Sequence, residues 1–223
     1  MMSQDILGIH HMTAITSDAQ RNVDFYTGIL GLRLVKLTVN FDDPRSYHLY
    51  YGDKLGHPGS LLTFFAWPGV PKGRQGTGQV TVTSFSIPQG SLDYWVERLS
   101  QQVVSSGPVS RFDETVLSLE DPDGLVLELV AHPQAGLRPA WAEGPVPAEH
   151  ALRGVHTVTL SEDGYERTAR LLTDTLGFRL LGQENNVFRY EVGGHSLSRW
   201  WIISVYSPNR LTIPSTLLIL PDK

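Results

Sequence analysis

The feature that most constrains the fold is a repeated order of predicted elements: one strand, one helix and three further strands. The order occurs over about Gly8–Pro68 and again over about Gln79–Pro133, and a third unit begins at Gly154. Residues 30–34 and 176–180 both read Leu-Gly-x-Arg-Leu. Repeated units of this kind bury their apolar faces against one another. The repeat therefore predicts an α+β fold of tandem βαβββ modules whose sheets form incomplete barrels, with helices on the outer face.

Local signals place the elements within each unit. Gly31 and Gly177 are expected to end the first and third helices, because glycine suits the left-handed turn that follows a helix. Apolar residues at helical spacing predict helices over 18–30, 91–101 and 165–175. Runs rich in β-branched and aromatic residues predict the strands 8–16, 32–39, 47–51, 60–67, 80–87, 109–112, 115–119, 125–131, 155–160, 178–182 and 187–192.

Composition divides the chain into four predicted parts. Residues 1–133 form an N-terminal domain of two βαβββ modules, and residues 134–152 form a linker rich in Pro and Gly. Residues 153–194 form a partial third module, and residues 195–223 form an irregular tail. The apolar run Trp200–Ile203 is out of place there. A one-base shift of the reading frame would turn it into an apolar-apolar-Asp segment, so we expect a truncated or frame-shifted ending, which resequencing of the gene would test.

Composition and charge exclude several kinds of partner. The chain has 223 residues, of which 41% are hydrophobic, and its 18 basic and 23 acidic side chains give a formal net charge of −5. An acidic chain without a Lys/Arg-rich run is not expected to bind nucleic acid or a membrane surface. No apolar run approaches the roughly 20 residues that span a bilayer. The first residues lack the regions of a signal peptide, and the absence of cysteine excludes thiolate metal ligands, so the cytoplasm is the expected compartment.

Several motifs, taken in order, resemble those of the vicinal oxygen chelate superfamily, and within it the hydroquinone-type ring-cleaving dioxygenases. The resemblance covers about residues 6–194. The HHxT sequence of residues 10–13 is a weak signal alone, but the ordered set is specific. Its members are Leu7–Thr13, Asp24–Tyr26, Tyr47–Asp53, Gly56–Ser60, Ile87–Trp95, Asp121–Gly124 and Pro147–His156.

The resemblance implies four βαβββ units and one non-haem Fe(II), or in some members Mn(II), held by two His and one Glu. Such a site leaves open positions for the substrate and O2. The resemblance puts the metal ligand at His11 and puts His10 and Thr13 beside the substrate. It places the other two ligands in a fourth unit, and this sequence shows no fourth unit.

Strand alternation gives a separate view of these residues. Successive side chains point to opposite faces of a strand, so His11 and Thr13 share one face and His10 lies on the other. His10 would need a bend in the strand to approach a metal near His11. A hydrogen-bonded histidine packed beneath the helix is an equally good interpretation of His10.

Three further polar residues have more ordinary interpretations. Aligning residues 154–157 with residues 8–11 gives His156 the position of His10, so we expect His156 to point away from a metal. Glu128 falls at the superfamily's carboxylate position. Its neighbour in the first strand of that unit is Ser84 rather than a histidine, which favours a polar residue in a sheet that no longer holds a metal site. His48 is expected to belong to a cross-strand aromatic ladder.

Two functions of different classes follow. The leading one is a ring-cleaving, extradiol-type dioxygenase that uses non-haem Fe(II) and O2 to degrade hydroquinone- or catechol-like aromatic compounds. In that function His11 binds the iron, His10 hydrogen-bonds or takes a proton from the substrate hydroxyl, and Thr13 lines the pocket. The alternative is a non-catalytic small-molecule-binding module, or an inactive truncated one. The sequence leaves open whether the chain forms homo-oligomers.

Overall fold

The computed structural model describes residue 6 and residues 8–100, 102–192 and 203–206, the last four by their backbone alone. Unit one forms a four-stranded sheet of order β1-β4-β3-β2. The strands are β1 (His11–Thr16), β2 (Arg33–Val39), β3 (Tyr47–Gly52) and β4 (Leu61–Ala66). β1 and β4 run parallel, and the other pairs are antiparallel.

Units two and three share an eight-stranded sheet of order β10-β11-β12-β9-β5-β8-β7-β6. The first strands of the two units, β5 and β9, join them by antiparallel pairing in which Ser84 lies opposite Thr157. The strands are β5 (Gln79–Pro88), β6 (Val109–Arg111), β7 (Glu114–Glu120), β8 (Val126–His132), β9 (Val155–Ser161), β10 (Phe178–Glu184), β11 (Val187–Val192) and β12 (Ile203–Tyr206).

Each unit carries its predicted helix. Helix α1 spans Ala19–Val23 and continues as a wider π-helical turn to Ile29, and α3 spans Glu166–Arg170 and continues in the same way to Thr175. Helix α2 spans Leu92–Ser100 after a short 3₁₀ turn. Gly31 and Gly177 follow the first and third helices with φ angles of +69° and +72°. The predicted glycine stops are therefore confirmed.

The end of the chain differs from the expectation of an irregular tail. Four of its residues form β12, which pairs parallel with β9 and antiparallel with β11 and so supplies unit three with a fourth strand. The sequence pattern missed β12 because a strand flanked on both sides needs no polar alternation. The remaining residues of the tail, including Trp200–Ile202, lie outside the described residues, so the frame-shift hypothesis stays a prediction.

The apolar cores and the sheets group the units differently. One core cluster joins units one and two with the linker and β9 of unit three, and it includes Tyr26, Phe64, Trp95 and Leu129, each fully buried. A smaller cluster around Phe178 and the inward side chains of β11 supports unit three. The larger cluster and the β5–β9 pairing both extend across residue 133. Among the described residues no helix is long and apolar enough to span a membrane.

Candidate functional site

The candidate site lies at β1, on the face of the first sheet that carries His11, Thr13 and Thr63. We call this face the concave face. His11, Thr13 and Ile15 are exposed and alternate with the half-buried Met12 and Ala14, as strand periodicity predicts. On one side β1 pairs with β4, and within the described residues no strand pairs with its other side. The edge of β1 is therefore unpaired in this part of the chain, and the face beside it exposes His11 and Thr13.

His10 does not pack beneath the helix, so that interpretation is wrong. Its side chain is exposed, and its Nδ1 atom lies 3.0 Å from Nδ1 of His11. The alternation of a strand does not apply to it because β1 begins only at His11, after Gly8 with a φ of +152°. The two imidazoles consequently lie edge to face, with ring centroids 5.2 Å apart.

A chain of hydrogen bonds runs across the concave face from Thr13. The hydroxyl oxygens of Thr13 and Thr63 are 2.9 Å apart, and Nε2 of His48 lies 3.2 Å from the Thr63 hydroxyl. On the other side of the ring, Nδ1 of His48 lies 2.9 Å from the Tyr50 hydroxyl. The chain thus links neighbouring strands β1, β4 and β3 and holds the Thr13 hydroxyl in place.

His48 also belongs to the predicted aromatic ladder. Its ring centroid lies 4.1 Å from those of Tyr50 and Phe65. Partial burial, and then the positive charges of His11 and Lys36, lower the pKa of His48. Its imidazole is therefore neutral near pH 7, with one nitrogen free to accept and the other to donate a hydrogen bond.

A cavity of about 390 Å³ opens along the unpaired edge of β1. Residues 12–15 of β1 line one side, with Phe65 and Trp67 beside them, and Val80, Thr83 and Leu125 of unit two line the other. Its volume falls within the range of small-molecule pockets, roughly 300–1,000 Å³. The cavity brings aromatic side chains next to Thr13.

The second sheet does not offer an equivalent site. Glu128 is fully buried, accepts a hydrogen bond of 2.7 Å from the Ser84 hydroxyl and forms an ion pair with Arg111. These contacts give Glu128 a structural role, as expected for a polar residue in a sheet without a metal site. Its other carboxylate oxygen, Oε1, has no hydrogen-bond partner within the described residues.

His156 is likewise occupied by a carboxylate partner. Its Nε2 lies 3.1 Å from a Glu114 carboxylate oxygen, and Glu114 also accepts a bond of 2.9 Å from Arg189. Burial alone would raise the pKa of Glu114, but hydrogen bonds and charge from His156 and Arg189 lower it overall. The contacts of Glu114 join β7 of unit two to β9 and β11 of unit three.

The described residues do not form a complete metal site. No group of three or more His, Asp or Glu side chains among them could hold a metal ion. His11 offers an exposed imidazole at the edge of the concave face, and imidazole is a good ligand for iron and other transition metals. A three-ligand site at His11 would need ligands from outside the described residues.

Sequence reasoning missed three residues of this face. The sequence pattern places Thr63 and Phe65 in a strand without indicating their partners, and it does not indicate the contact between the Tyr50 hydroxyl and His48. Their positions follow from the register of β4 against β1 and β3, where Thr63 lies opposite both Thr13 and Tyr50. Alternation shows that Thr63 and Phe65 share a face, but only the register shows what they meet.

Comparisons with known proteins point to one family. The model of the glyoxalase/bleomycin resistance protein/dioxygenase superfamily matches residues 8–129, more than half of the chain. The "Putative ring-cleaving dioxygenase MhqO" of Bacillus subtilis is 43% identical over 193 residues, which are 86% of this chain and 62% of that protein. The "Chlorohydroquinone/hydroquinone 1,2-dioxygenase" of Sphingobium indicum is 34% identical over 209 residues, 92% of this chain and 64% of that protein. The chain thus spans about three fifths of the length of these curated relatives.

Solved structures support the same fold. A "putative dioxygenase" from Bacillus subtilis superposes with a TM-score of 0.85 at 39% identity, covering 93% of this chain and 66% of that one. Glyoxalase I from Zea mays superposes with a TM-score of 0.64 at 18% identity, covering 89% of this chain and 66% of that one. At that identity, the second match shows a shared fold alone.

Proposed function

Since the chain belongs to the glyoxalase/bleomycin resistance protein/dioxygenase superfamily, we propose that it acts as an extradiol-type ring-cleaving dioxygenase on hydroquinone- or catechol-like aromatics. The observation that carries the proposal is the exposure of His11 and Thr13, side by side, on an open concave face. The names of its relatives at 34–43% identity support the reaction class and the aromatic substrate. We place this activity, and the degradation of aromatic compounds, in the cytoplasm.

In this proposal His11 is one ligand of Fe(II), with Mn(II) as the alternative metal. The remaining ligands, a second His and a Glu in the arrangement that the family resemblance implies, would come from outside the described residues. The bound metal would supply the path by which electrons pass from the aromatic ring to O2. The chain's own residues then have to bind the ring, orient its hydroxyl and accept the proton.

The concave face provides groups for each of these tasks. Phe65 and the rings of His48 and Tyr50 form an aromatic wall against which a substrate ring can stack. The Thr13 hydroxyl, held by Thr63, can hydrogen-bond a substrate hydroxyl and fix its orientation. Such positioning lowers the barrier of a reaction because the entropy of alignment is lost on binding.

His10 is proposed to accept the proton of the substrate hydroxyl. Its imidazole lies next to His11, at the exposed start of β1. A neutral imidazole can act as a general base in proton transfer. In this proposal, the hydrogen-bonded side chains from Thr13 to Tyr50 form the side of the substrate site that faces away from His10.

Oxygen consumption with a panel of hydroquinone, chlorohydroquinone and catechol tests the activity, using protein purified without oxygen and supplied with Fe(II). We expect O2 uptake that depends on one of the aromatics, with both oxygen atoms of labelled O2 found in the ring-opened product. Thr13→Ala should raise KM for that aromatic, whereas Thr77→Ala, at an exposed position outside both sheets, serves as the matched control.

The alternative, a non-catalytic binding module, is favoured by one observation: the described residues supply one metal ligand of the three that the reaction requires. A non-catalytic module should bind the aromatics without any O2 uptake. Binding should quench the fluorescence of Trp67, which lines the cavity. Uptake that requires both Fe(II) and an aromatic would exclude this alternative.

A further inference from the structure

The free edge of β2 exposes a row of large apolar side chains. β2 pairs with β3 on one side, and no strand of the described chain pairs with its other side. Leu37, Val39 and Phe41 occupy alternate positions there and are all exposed, Phe41 by 97%. Tyr47 lies opposite Val39 in β3 and is exposed as well. An exposed apolar row of this kind is typical of an interaction surface.

The sequence of this edge is complementary to itself. Residues 36–42 read Lys-Leu-Thr-Val-Asn-Phe-Asp, with Val39 at the centre. Positions 37, 39 and 41 are apolar, positions 38 and 40 are polar without charge, and the two ends carry opposite charges. When two copies of the segment run antiparallel about Val39, each residue therefore faces one of matching chemistry. The facing pairs are Lys36 with Asp42, Leu37 with Phe41, Thr38 with Asn40, and Val39 with Val39.

The two charged residues of the segment are available to a partner. Lys36 and Asp42 are exposed, and neither forms an ion pair within the described part of the chain. Nζ of Lys36 lies over the Tyr50 ring, 5.6 Å from its centroid. The next carboxylate differs, because Asp43 is bonded by Arg45 at 2.9 Å. An attraction between copies would therefore depend on Lys36 and Asp42.

The backbone of the segment is suited to accept a second strand. The bulge of β2 precedes it, and the register with β3 is unbroken from Lys36 to Val39. Beyond the strand, the N–H of Asn40 donates a bond of 2.7 Å to the carbonyl of Ser46, which closes the loop that carries Phe41. A loop held in this way loses little conformational freedom on binding.

We propose that two copies of this chain associate through the free edges of β2, antiparallel and centred on Val39. The contact is isologous, as a two-fold dimer requires. Lys36 of each copy lies beside the partner's Asp42, so the ion pair forms twice, and Phe41 of each copy covers the partner's Leu37. A lysine discourages pairing at a free edge, but in this register it meets an opposite charge.

A second copy fits this edge better than other occupants do. The segment complements itself at its charged, polar and apolar positions alike, which a general apolar partner would not require. A lipid surface is disfavoured, because Asp42 and Asp43 follow Phe41 and acidic headgroups repel carboxylates. The proposal goes beyond the dioxygenase activity and does not depend on it.

Sedimentation velocity on the 223-residue chain, over about 10–500 μM, tests this dimer. Seven residues a copy are fewer than the roughly 20–30 of a standard interface, so we expect a weak dimer. Its mass should be twice the 24.8 kDa of the chain, and its fraction should rise with concentration. Lys36→Glu or Asp42→Lys places like charges opposite each other twice and should raise the dissociation constant at least about tenfold.

Two combinations of these variants test the register itself. The double variant Lys36→Glu/Asp42→Lys exchanges the charges and should restore a dissociation constant near that of wild type. An equimolar mixture of the two single variants should form a heterodimer, because opposite charges then face each other at both contacts. Phe41→Ser removes the apolar contact without changing the charge and should weaken the dimer as well.

The matched controls are Val104→Asp, at an exposed apolar position away from β2, and Ile15→Asp, on the unpaired edge of β1. Both should dimerise as wild type does, and circular dichroism checks that every variant is folded. If a charge variant fails to fold, Phe41→Ser still decides the question. A monomer at all concentrations would overturn the proposal. So would a double variant as weak as the single ones, a dimer that Phe41→Ser leaves unchanged, or one that Ile15→Asp abolishes.

Discussion

At the scale of single residues, His48 makes the stability of the concave face depend on pH. Its pKa in the folded chain is below the ordinary value of 6.5 that it regains on unfolding. As pH falls through 6.5, the unfolded chain therefore binds more protons at this residue than the folded chain, and the folded state loses stability. The loss is absent above that pH.

His48→Gln should remove this contribution while keeping a side chain that can hydrogen-bond. We predict that its free energy of unfolding falls less than that of wild type between about pH 7.5 and about pH 5.5, measured by urea denaturation. Tyr50→Phe keeps the titrating ring and should retain the wild-type pH dependence. An unchanged pH dependence in His48→Gln would contradict the assignment.

At the scale of elements, two helix ends share a glycine but differ in their surroundings. A Cβ atom on Gly31 would lie 2.5 Å from a methyl carbon of Val146, whereas one on Gly177 would meet nothing within 4 Å. Both residues have positive φ angles, which cost a residue with a side chain about 1–2 kcal/mol. The two sites thus separate backbone strain from a steric clash.

We predict that Gly177→Ala lowers the free energy of unfolding by about 1–2 kcal/mol, because only the backbone is strained. Gly31→Ala should cost about 1–3 kcal/mol more, since Val146 must also move. Urea denaturation of the two variants provides the comparison. Equal losses would show that Val146 moves aside without cost and that the contact does not tie the linker to α1.

The elements also show what the sequence could and could not predict. Periodicity and glycine stops predicted the helices and the strands of units one and two, because these depend on local spacing. β12 was missed because a strand paired on both sides, here with β9 and β11, needs no alternation of polar and apolar residues. Alternation does not predict the position of His10, because the start of the strand is set by a backbone turn at Gly8.

The candidate site was predictable only in part, for the same physical reason. His11 and Thr13 lie on one strand, so alternation alone places them on one face. The contribution of Thr63, His48 and Tyr50 depends on the register between strands, which is fixed by the packed sheet rather than by any one segment.

At the scale of the whole molecule, a buried hydrogen bond joins unit one to unit two. The fully buried Tyr26 donates a bond of 3.0 Å from its hydroxyl to Asp121, and burial raises the pKa of that carboxyl group. Tyr26→Phe would leave the Asp121 oxygen without this donor in an apolar core. We predict a loss of about 1–3 kcal/mol in the free energy of unfolding.

Chemical denaturation of Tyr26→Phe measures this loss, with Tyr47→Phe as the control. Tyr47 is exposed, so its variant should stay within about 0.5 kcal/mol of wild type. A Tyr26→Phe variant as stable as the control would mean that the two units do not depend on this bond.

The proposed binding of a metal by His11 on the open concave face also belongs to the scale of the whole molecule. The most direct measurement is the metal content of protein purified without oxygen and loaded with Fe(II), for wild type, His11→Ala and the control His57→Ala. The account predicts tightly held iron in wild type and His57→Ala and its loss in His11→Ala, together with the loss of O2 uptake. Equal iron in all three proteins, or none in any of them, would contradict it.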